Sequence, residues 1–298
     1  MHIRDQHLAE LREHGFALIE GFLEPDLLRS VQAALWEEYP RPQDYFSDPS
    51  AFSWLADSPI AGVKLLPFRS TPLNRLALHP DLIDAVERYL GTTEIDLYNA
   101  ELWAKYAGAA DYEQSHHRDY MNHTLVVPRA DGQYAQVTCI MYLSDVSDGD
   151  GPTAVIPVQR SADVPIVPAY QEPGELIGRE VRAVAPAGSL LLYRTDVLHR
   201  ATGFTNPSGT RFVATSAYQA RGAQWTGKIS WPDRSWVQEM GPVLRDASVR
   251  ERDLFGWPPP GHPYWCEQSL VDVAQRYPGI DLTPYRKTDA VRATDELS

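Results

Sequence analysis

Ser115-His116-His117-Arg118-Asp119-Tyr120 is the stretch on which the reading of this chain turns. In an extended strand, residues i and i+2 point to one face, about 6.5–7 Å apart along the backbone. His117 and Asp119 can then converge on one ion, with His116 and Arg118 on the other face. A second imidazole from a neighbouring strand closes the triangle, and His199 is the candidate. The spacing alone is a weak signal. With 9 His and 40 acidic residues in 298, chance supplies about one His-x-Asp or His-x-Glu. His79-Pro80-Asp81 is the other His-x-Asp, and it has a local explanation as the start of a helix over 82–90 with Pro in its first turn. A lone His is also more often a satisfied core residue than a ligand. The 117/119 pair has to be judged by its surroundings.

Those surroundings read as β structure. From Glu94 the chain gives a long strand to Tyr106, then a β-branched run from Gln136 to Leu143. Shorter strands follow at 153–157, 181–184 and 189–194, then one carrying His199 and a last one over 211–218. Turn clusters such as Ser144–Pro152 and Asn206–Gly209 separate them. Many short strands at this spacing predict a jelly roll or related barrel. Residues 1–93 form a mostly helical N-terminal flank around a short apolar strand, Phe16–Phe22. Helices are expected over 4–14, from Pro25, and over 82–90. The segment from about 40 to 70 has no clean period and reads as an irregular loop, part of a lid. Residues 221–298 are Pro- and Trp-rich and then helical. Trp231, Trp236, Leu244, Leu254, Trp257 and Trp265 are expected to pack on the core, and the last dozen residues to fray. The expectation is a single domain over 1–298 with its jelly-roll core at 94–220.

Composition narrows the partners. A formal net charge of −13 disfavours nucleic acid or an anionic membrane, both of which recruit basic surface. It leaves room for a small anion held by one buried cation. No apolar run reaches the length of a membrane span, and the charged N-terminus has no signal-peptide h-region. Two cysteines cannot build a disulfide framework, so a reducing cytoplasm is the default location. Cys139, in an apolar run, reads as a core thiol.

Two imidazoles and one carboxylate form the facial triad of non-haem Fe(II) oxygenases, which leaves positions open for a co-substrate and O₂. Arg211 opens the strand after the Asn206–Gly209 turn, so a hairpin can bring it to the same face as His199. A guanidinium fork aimed inward grips a carboxylate with two hydrogen bonds. The simplest ligand with a chelating end and a distal carboxylate is 2-oxoglutarate.

At this point the chain resembles the phytanoyl-CoA dioxygenase family of Fe(II)/2-oxoglutarate oxygenases, over most of residues 10–220. The resemblance rests on Glu13-His-Gly-Phe-Ala-Leu-Ile-Glu-Gly-Phe22, His117-Arg-Asp119, and Gly149-Asp-Gly-Pro-Thr-Ala-Val-Ile-Pro157. It continues through Ala187-Gly-Ser-Leu-Leu-Leu-Tyr193 and His199 with Arg211. Where the family usually continues with Gly-Ser-His, this chain has Val158-Gln-Arg-Ser161. The resemblance implies a mainly β fold with flanking helices, a double-stranded β-helix (jelly roll, cupin-like). It implies Fe(II) held by His117, Asp119 and His199, and 2-oxoglutarate held by Arg211. Lys105 resembles a family lysine that touches the co-substrate, and Thr153, Tyr142 and Thr202 are candidate hydroxyl donors to it. Asp119 matters further, because halogenating relatives replace this carboxylate with a small residue. The implied reaction consumes O₂, converts 2-oxoglutarate to succinate and CO₂, and hydroxylates or desaturates a C–H bond. Its substrate would be a small molecule, a secondary metabolite or a lipid-like acid.

Two alternatives remain open at this level. One is a metal-dependent cupin-type enzyme that uses no keto acid. The other is an inactive binding module on the same fold.

Overall fold

The computed structural model describes residues 2–286 except 130, 131, 224 and 236. Trp236 and the last dozen residues therefore lie outside the described residues. Nine strands are present among the described residues: β1 (Phe16–Ile19), β2 (Val63–Leu65), β3 (Ile95–Tyr106), β4 (Gln136–Tyr142), β5 (Thr153–Val155), β6 (Val181–Arg182), β7 (Leu190–Arg194), β8 (His199–Ala201) and β9 (Thr210–Ala220). A six-stranded sheet runs in the order β1-β7-β4-β9-β3-β2, and a three-stranded sheet in the order β6-β5-β8. All named pairs are antiparallel. Segment 114–117 runs beside β8 and extends the smaller sheet by one more strand-like row.

Alternation along the strands builds two cores. Ile140, Tyr142, Leu191, Tyr193 and Val213 face the smaller sheet and pack with its Val155 and Ala183. Two sheets closing face to face on such an interior form the jelly roll, or double-stranded β-helix. The opposite faces of the same strands, with Val137, Cys139, Met141, Leu190, Leu192 and Ala214, pack under the flanking helices. β4 lies between β7 and β9 and is buried along its whole length, which explains why its sequence is apolar on both faces from Cys139 onward rather than alternating.

The helical flanks belong to this outer core. Helix Pro25–Leu35 starts on its proline and buries Val31, Ala34 and Leu35. Helix Pro80–Leu90 also starts on a proline, with His79 extended before it, so the His79–Asp81 motif is a helix start as expected. From the C-terminal part, Leu244, Leu254 and Trp265 enter the same cluster, and Trp231 and Trp257 pack against it. Each large apolar side chain so buried contributes about 1.5–3 kcal/mol.

The 40–70 segment differs from the expectation of an irregular loop. It contains the helix Pro42–Ser47, a 3₁₀ stretch over Pro49–Ala56, and β2, which forms the edge of the larger sheet against β3. A three-residue strand is too short to show a period, and its pairing with Glu101–Trp103 defines it instead.

Candidate metal centre

His117 and His199 stand directly opposite each other and exchange main-chain hydrogen bonds of 2.9 and 3.0 Å. Opposed residues of an antiparallel pair carry their side chains on one face, and these two rings are 4.4 Å apart. Asp119 reaches them by a route its spacing does not reveal. The extended segment ends at Arg118, and Asp119 (φ −65°, ψ −18°) starts the short helix Tyr120–His123. The expectation of a His/Asp pair on one strand face is corrected here. The cause lies in the neighbours: the adjoining chain just before His199 is a turn, so no ladder continues. The Tyr120 N–H goes to the Thr195 carbonyl instead, and the Arg118 N–H to Ala169.

The result is a convergent donor set. Asp119 Oδ1 is 3.6 Å from His117 Nε2 and 3.5 Å from His199 Nε2. All three donor atoms lie within 4.8 Å of one another. The Nδ1 atoms of His117 and His199 are each 3.1 Å from a carbonyl two residues back, Ser115 and Val197. Those contacts place a ring proton on Nδ1 and aim each Nε2 at the carboxylate. Asp119 Oδ2 accepts a 2.7 Å hydrogen bond from the Tyr193 hydroxyl, so the carboxylate presents Oδ1 alone.

Burial opposes ionisation of Asp119, but His199, then His123 and His117, outweigh it and hold the carboxyl well below its usual range. Burial also pushes His199 down, yet the Asp119 charge and hydrogen bond leave it above its ordinary value. His117 is pushed down to about 4, by burial first and by His199 second. A buried carboxylate with two aimed imidazole nitrogens is a cation site, and this donor set suits Fe(II).

The residues flanking the ligands clamp a loop. Arg118, buried, donates to the carbonyls of Asp196, Pro165 and Val164, and the Tyr120 hydroxyl to that of Ile166. On the other face His116 and Arg200 both meet Glu180, and Arg200 also meets Glu113. The loop they hold carries Tyr170, whose ring centroid is 5.8 Å from that of His117.

Arg211 sits directly opposite Lys105 in the β3–β9 register, and both are buried. Arg211 Nη1 donates to the Gly151 carbonyl, and Lys105 Nζ to the carbonyls of Tyr112 (3.0 Å) and Thr202 (3.2 Å). Among the described residues neither cation forms an ion pair with a carboxylate. Burial first and Arg211 second lower Lys105 to about 7, against the pull of Asp111 and Glu113. Like charges set opposite each other in a sheet destabilise it, so this pair marks a place for an anion. Tyr142 lies close enough to act on the charge of Arg211. Its hydroxyl donates to the Ala183 carbonyl, and that of Thr202 to Pro152, so both protons are already used. Thr153, on β5, is opposite Ala201 of β8.

A sequence model of the phytanoyl-CoA dioxygenase family matches residues 11–213. The chain belongs to this family. It is a 2-oxoglutarate-dependent non-haem iron oxygenase, with Fe(II) and 2-oxoglutarate as its cofactors. Solved structures share the fold of this oxygenase at low sequence identity. The non-haem α-ketoglutarate-dependent epimerase SnoN from nogalamycin biosynthesis is 18% identical, with a TM-score of 0.53, covering 77% of this chain and 86% of its own. HygX from Streptomyces hygroscopicus, with nickel and 2-oxoglutarate bound, is 17% identical with a TM-score of 0.54, covering 74% and 87%. EctD from S. alaskensis is 18% identical with a TM-score of 0.53, covering 73% and 77%. No curated protein sequence matches the chain.

Three residues of the oxygenase site escape a reading by motif. Tyr193 could have been found from strand parity, since it shares the inward face of β7 with Leu191. His123 lies one helical turn after Asp119, a signal only once that turn is known to be helical. Tyr170 has no sequence signal, because a long Pro-containing loop brings it to His117. A cavity of about 1000 Å³ lies nearby, lined by Thr124, Gln136, Thr195, Trp225 and Thr226 among others. None of the three metal-ligand candidates lines it. Among the described residues no helix is long and apolar enough to cross a membrane.

Proposed function

We propose that this oxygenase hydroxylates or desaturates a C–H bond of a small-molecule substrate while 2-oxoglutarate is decarboxylated to succinate and CO₂. The observation that carries the reading is one barrel interior holding both a two-His, one-carboxylate donor set and a buried cation pair that has no carboxylate partner among the described residues. In this reading His117 Nε2, His199 Nε2 and Asp119 Oδ1 hold Fe(II). The bound metal, with positions left open, supplies O₂ activation and the oxidation of the substrate carbon.

The other residues orient and shield. Tyr193 fixes the Asp119 carboxylate in one rotamer through Oδ2. Arg211 takes the distal carboxylate of 2-oxoglutarate, and Lys105 adds a second positive charge one strand away. Thr153, Tyr142 and Thr202 wall this pocket. Tyr142 and Thr202 do so as packing surface and acceptors, since their protons go to main-chain carbonyls. Tyr170 and its clamped loop cover His117 from solvent.

SnoN was solved with nogalamycin RO and HygX with hygromycin B, both small molecules. Their likeness to this chain supports a small-molecule substrate here as well. We assign the whole chain, residues 1–298, to one oxygenase domain, since helices from both flanks share the core of the larger sheet. We place the protein in a reducing cytoplasm, because its two cysteines, Cys139 and Cys266, are too few to build a disulfide framework.

Protein loaded with Fe(II) and 2-oxoglutarate without O₂ should release succinate when O₂ is admitted. His117→Ala should bring that signal to background, and full turnover by the variant would sink the proposal.

A further inference from the structure

The interior of the barrel changes character along its length. Near Arg211 the inward side chains are Trp103, Val213 and Tyr142, packed with the smaller sheet. Further along the same strands, the inward face of β3 carries Glu101 and Asn99, and β9 sets Thr215 opposite Glu101. Glu101 is only 4% exposed. Its Oε2 accepts from Trp103 Nε1 at 2.7 Å, and its Oε1 is 3.1 Å from Lys228 Nζ. A register shift between Leu97 and Asn99 inserts Tyr98, whose hydroxyl is 3.0 Å from His123 Nδ1.

Lys228 arrives on the strap that follows β9. The strap is tied down at three points: Leu125 N–H to Trp225 O, Gly227 N–H to His123 O, and Ile229 N–H to Tyr98 O. His123 is buried and feels the charges of Asp119, Lys228, Glu101 and His199. It therefore stands between the metal ligands and the Glu101–Lys228 pair. Among the described residues, two polar atoms in this neighbourhood have no hydrogen-bond partner: the acceptor Oδ1 of Asn99, itself 4% exposed, and the Thr215 hydroxyl, which can accept or donate. An ion pair that merely pins the strap would account for Glu101 and Lys228. It would not account for Asn99 and Thr215, because buried polar atoms are nearly always paired.

We infer that this polar cluster, Asn99, Glu101 and Thr215 with His123 and Lys228, is the substrate-recognition wall. It takes a hydrogen-bond-donating substrate, polyhydroxylated or amine-bearing, and rejects a plain acyl chain. This rests on the oxygenase reading and sharpens it. A hydroxyl or ammonium group beside the reacting carbon satisfies the open Asn99 Oδ1, and the Thr215 hydroxyl accepts from the same kind of group. A lipid tail leaves them stranded, and sites built for hydrogen bonds discriminate strongly against analogues that lack them.

The test uses the Fe(II)- and 2-oxoglutarate-loaded protein and reads succinate above the rate without added substrate. One probe set is myo-inositol, glucosamine and streptamine, and the other is palmitate. At least one member of the first set should stimulate succinate release, and palmitate should not. Asn99→Leu and the isosteric Thr215→Val should then raise the probe's KM by about tenfold more than they lower kcat. A purely structural role would lower kcat and melting temperature and leave KM in place, which would overturn the inference. So would stimulation by palmitate, or by none of the polar probes. If wild-type protein makes no succinate even without a probe, the oxygenase reading itself fails.

Discussion

Lys105 and Arg211 show how much a single cross-strand pair can reveal. A lysine at a strand end is ordinarily solvated, yet Lys105 is 1% exposed and faces a buried arginine. Its ammonium is lowered to about 7 by burial and by Arg211, so it titrates near neutrality. A bound carboxylate favours the ammonium, so the complex keeps a proton that the free protein sheds above about pH 7. 2-Oxoglutarate affinity should therefore fall between about pH 7 and 9, by up to about tenfold per unit. Lys105→Met should flatten that slope, as calorimetry at several pH values would reveal. Arg211→Ala removes the permanent charge and should weaken 2-oxoglutarate binding by roughly 10²-fold at any pH in the range. Tyr193→Phe frees the Asp119 Oδ2 and should weaken Mn(II) or Fe(II) binding about 10–100-fold, the usual scale for a residue behind a metal ligand. Wild-type affinity in that variant would mean the hydroxyl does not orient the carboxylate.

At the scale of elements, the site depends on turns as much as on strands. Gly15 separates the helix Asp5–His14 from β1 with φ +84°, and a Cβ there would lie 2.5 Å from Val197 Cγ2. Val197 precedes β8, and its carbonyl orients the His199 ring. Gly15→Ala should cost about 1–3 kcal/mol, and it should also weaken metal binding by displacing that carbonyl. A loss of stability without a loss of metal affinity would separate the two roles. The same elements show what could be read in advance. β3, β4, β7 and β9 were legible because long apolar or alternating runs are bounded by turn residues. His117, His199 and Arg211 were legible through their order along those strands. Asp119 was expected beside the two imidazoles, where the structure brings it, but on the wrong local structure. Its helix start is dictated by the Thr195 and Ala169 carbonyls, far away in sequence. β2 and the loop carrying Tyr170 were illegible for the same reason, since their partners, not their own sequence, define them.

For the whole molecule, a metal and an anion bound between two sheets should act as a staple. At about 100 times the dissociation constant, a ligand specific to the folded state stabilises it by about 2.7 kcal/mol. For a chain of this size that is a rise in melting temperature of roughly 5–10 °C. Mn(II) with 2-oxoglutarate should give this rise together, and a chelator should remove it. The acidic surface plays no part in that effect, so moderate salt should leave it largely intact. The most direct test of the central claim is anaerobic titration of 2-oxoglutarate into the Fe(II)-loaded protein, followed by calorimetry. One equivalent should bind, only when metal is present, with affinity lost in His117→Ala and weakened roughly 10²-fold in Arg211→Ala. Binding that is indifferent to metal, or unchanged in Arg211→Ala, would contradict it.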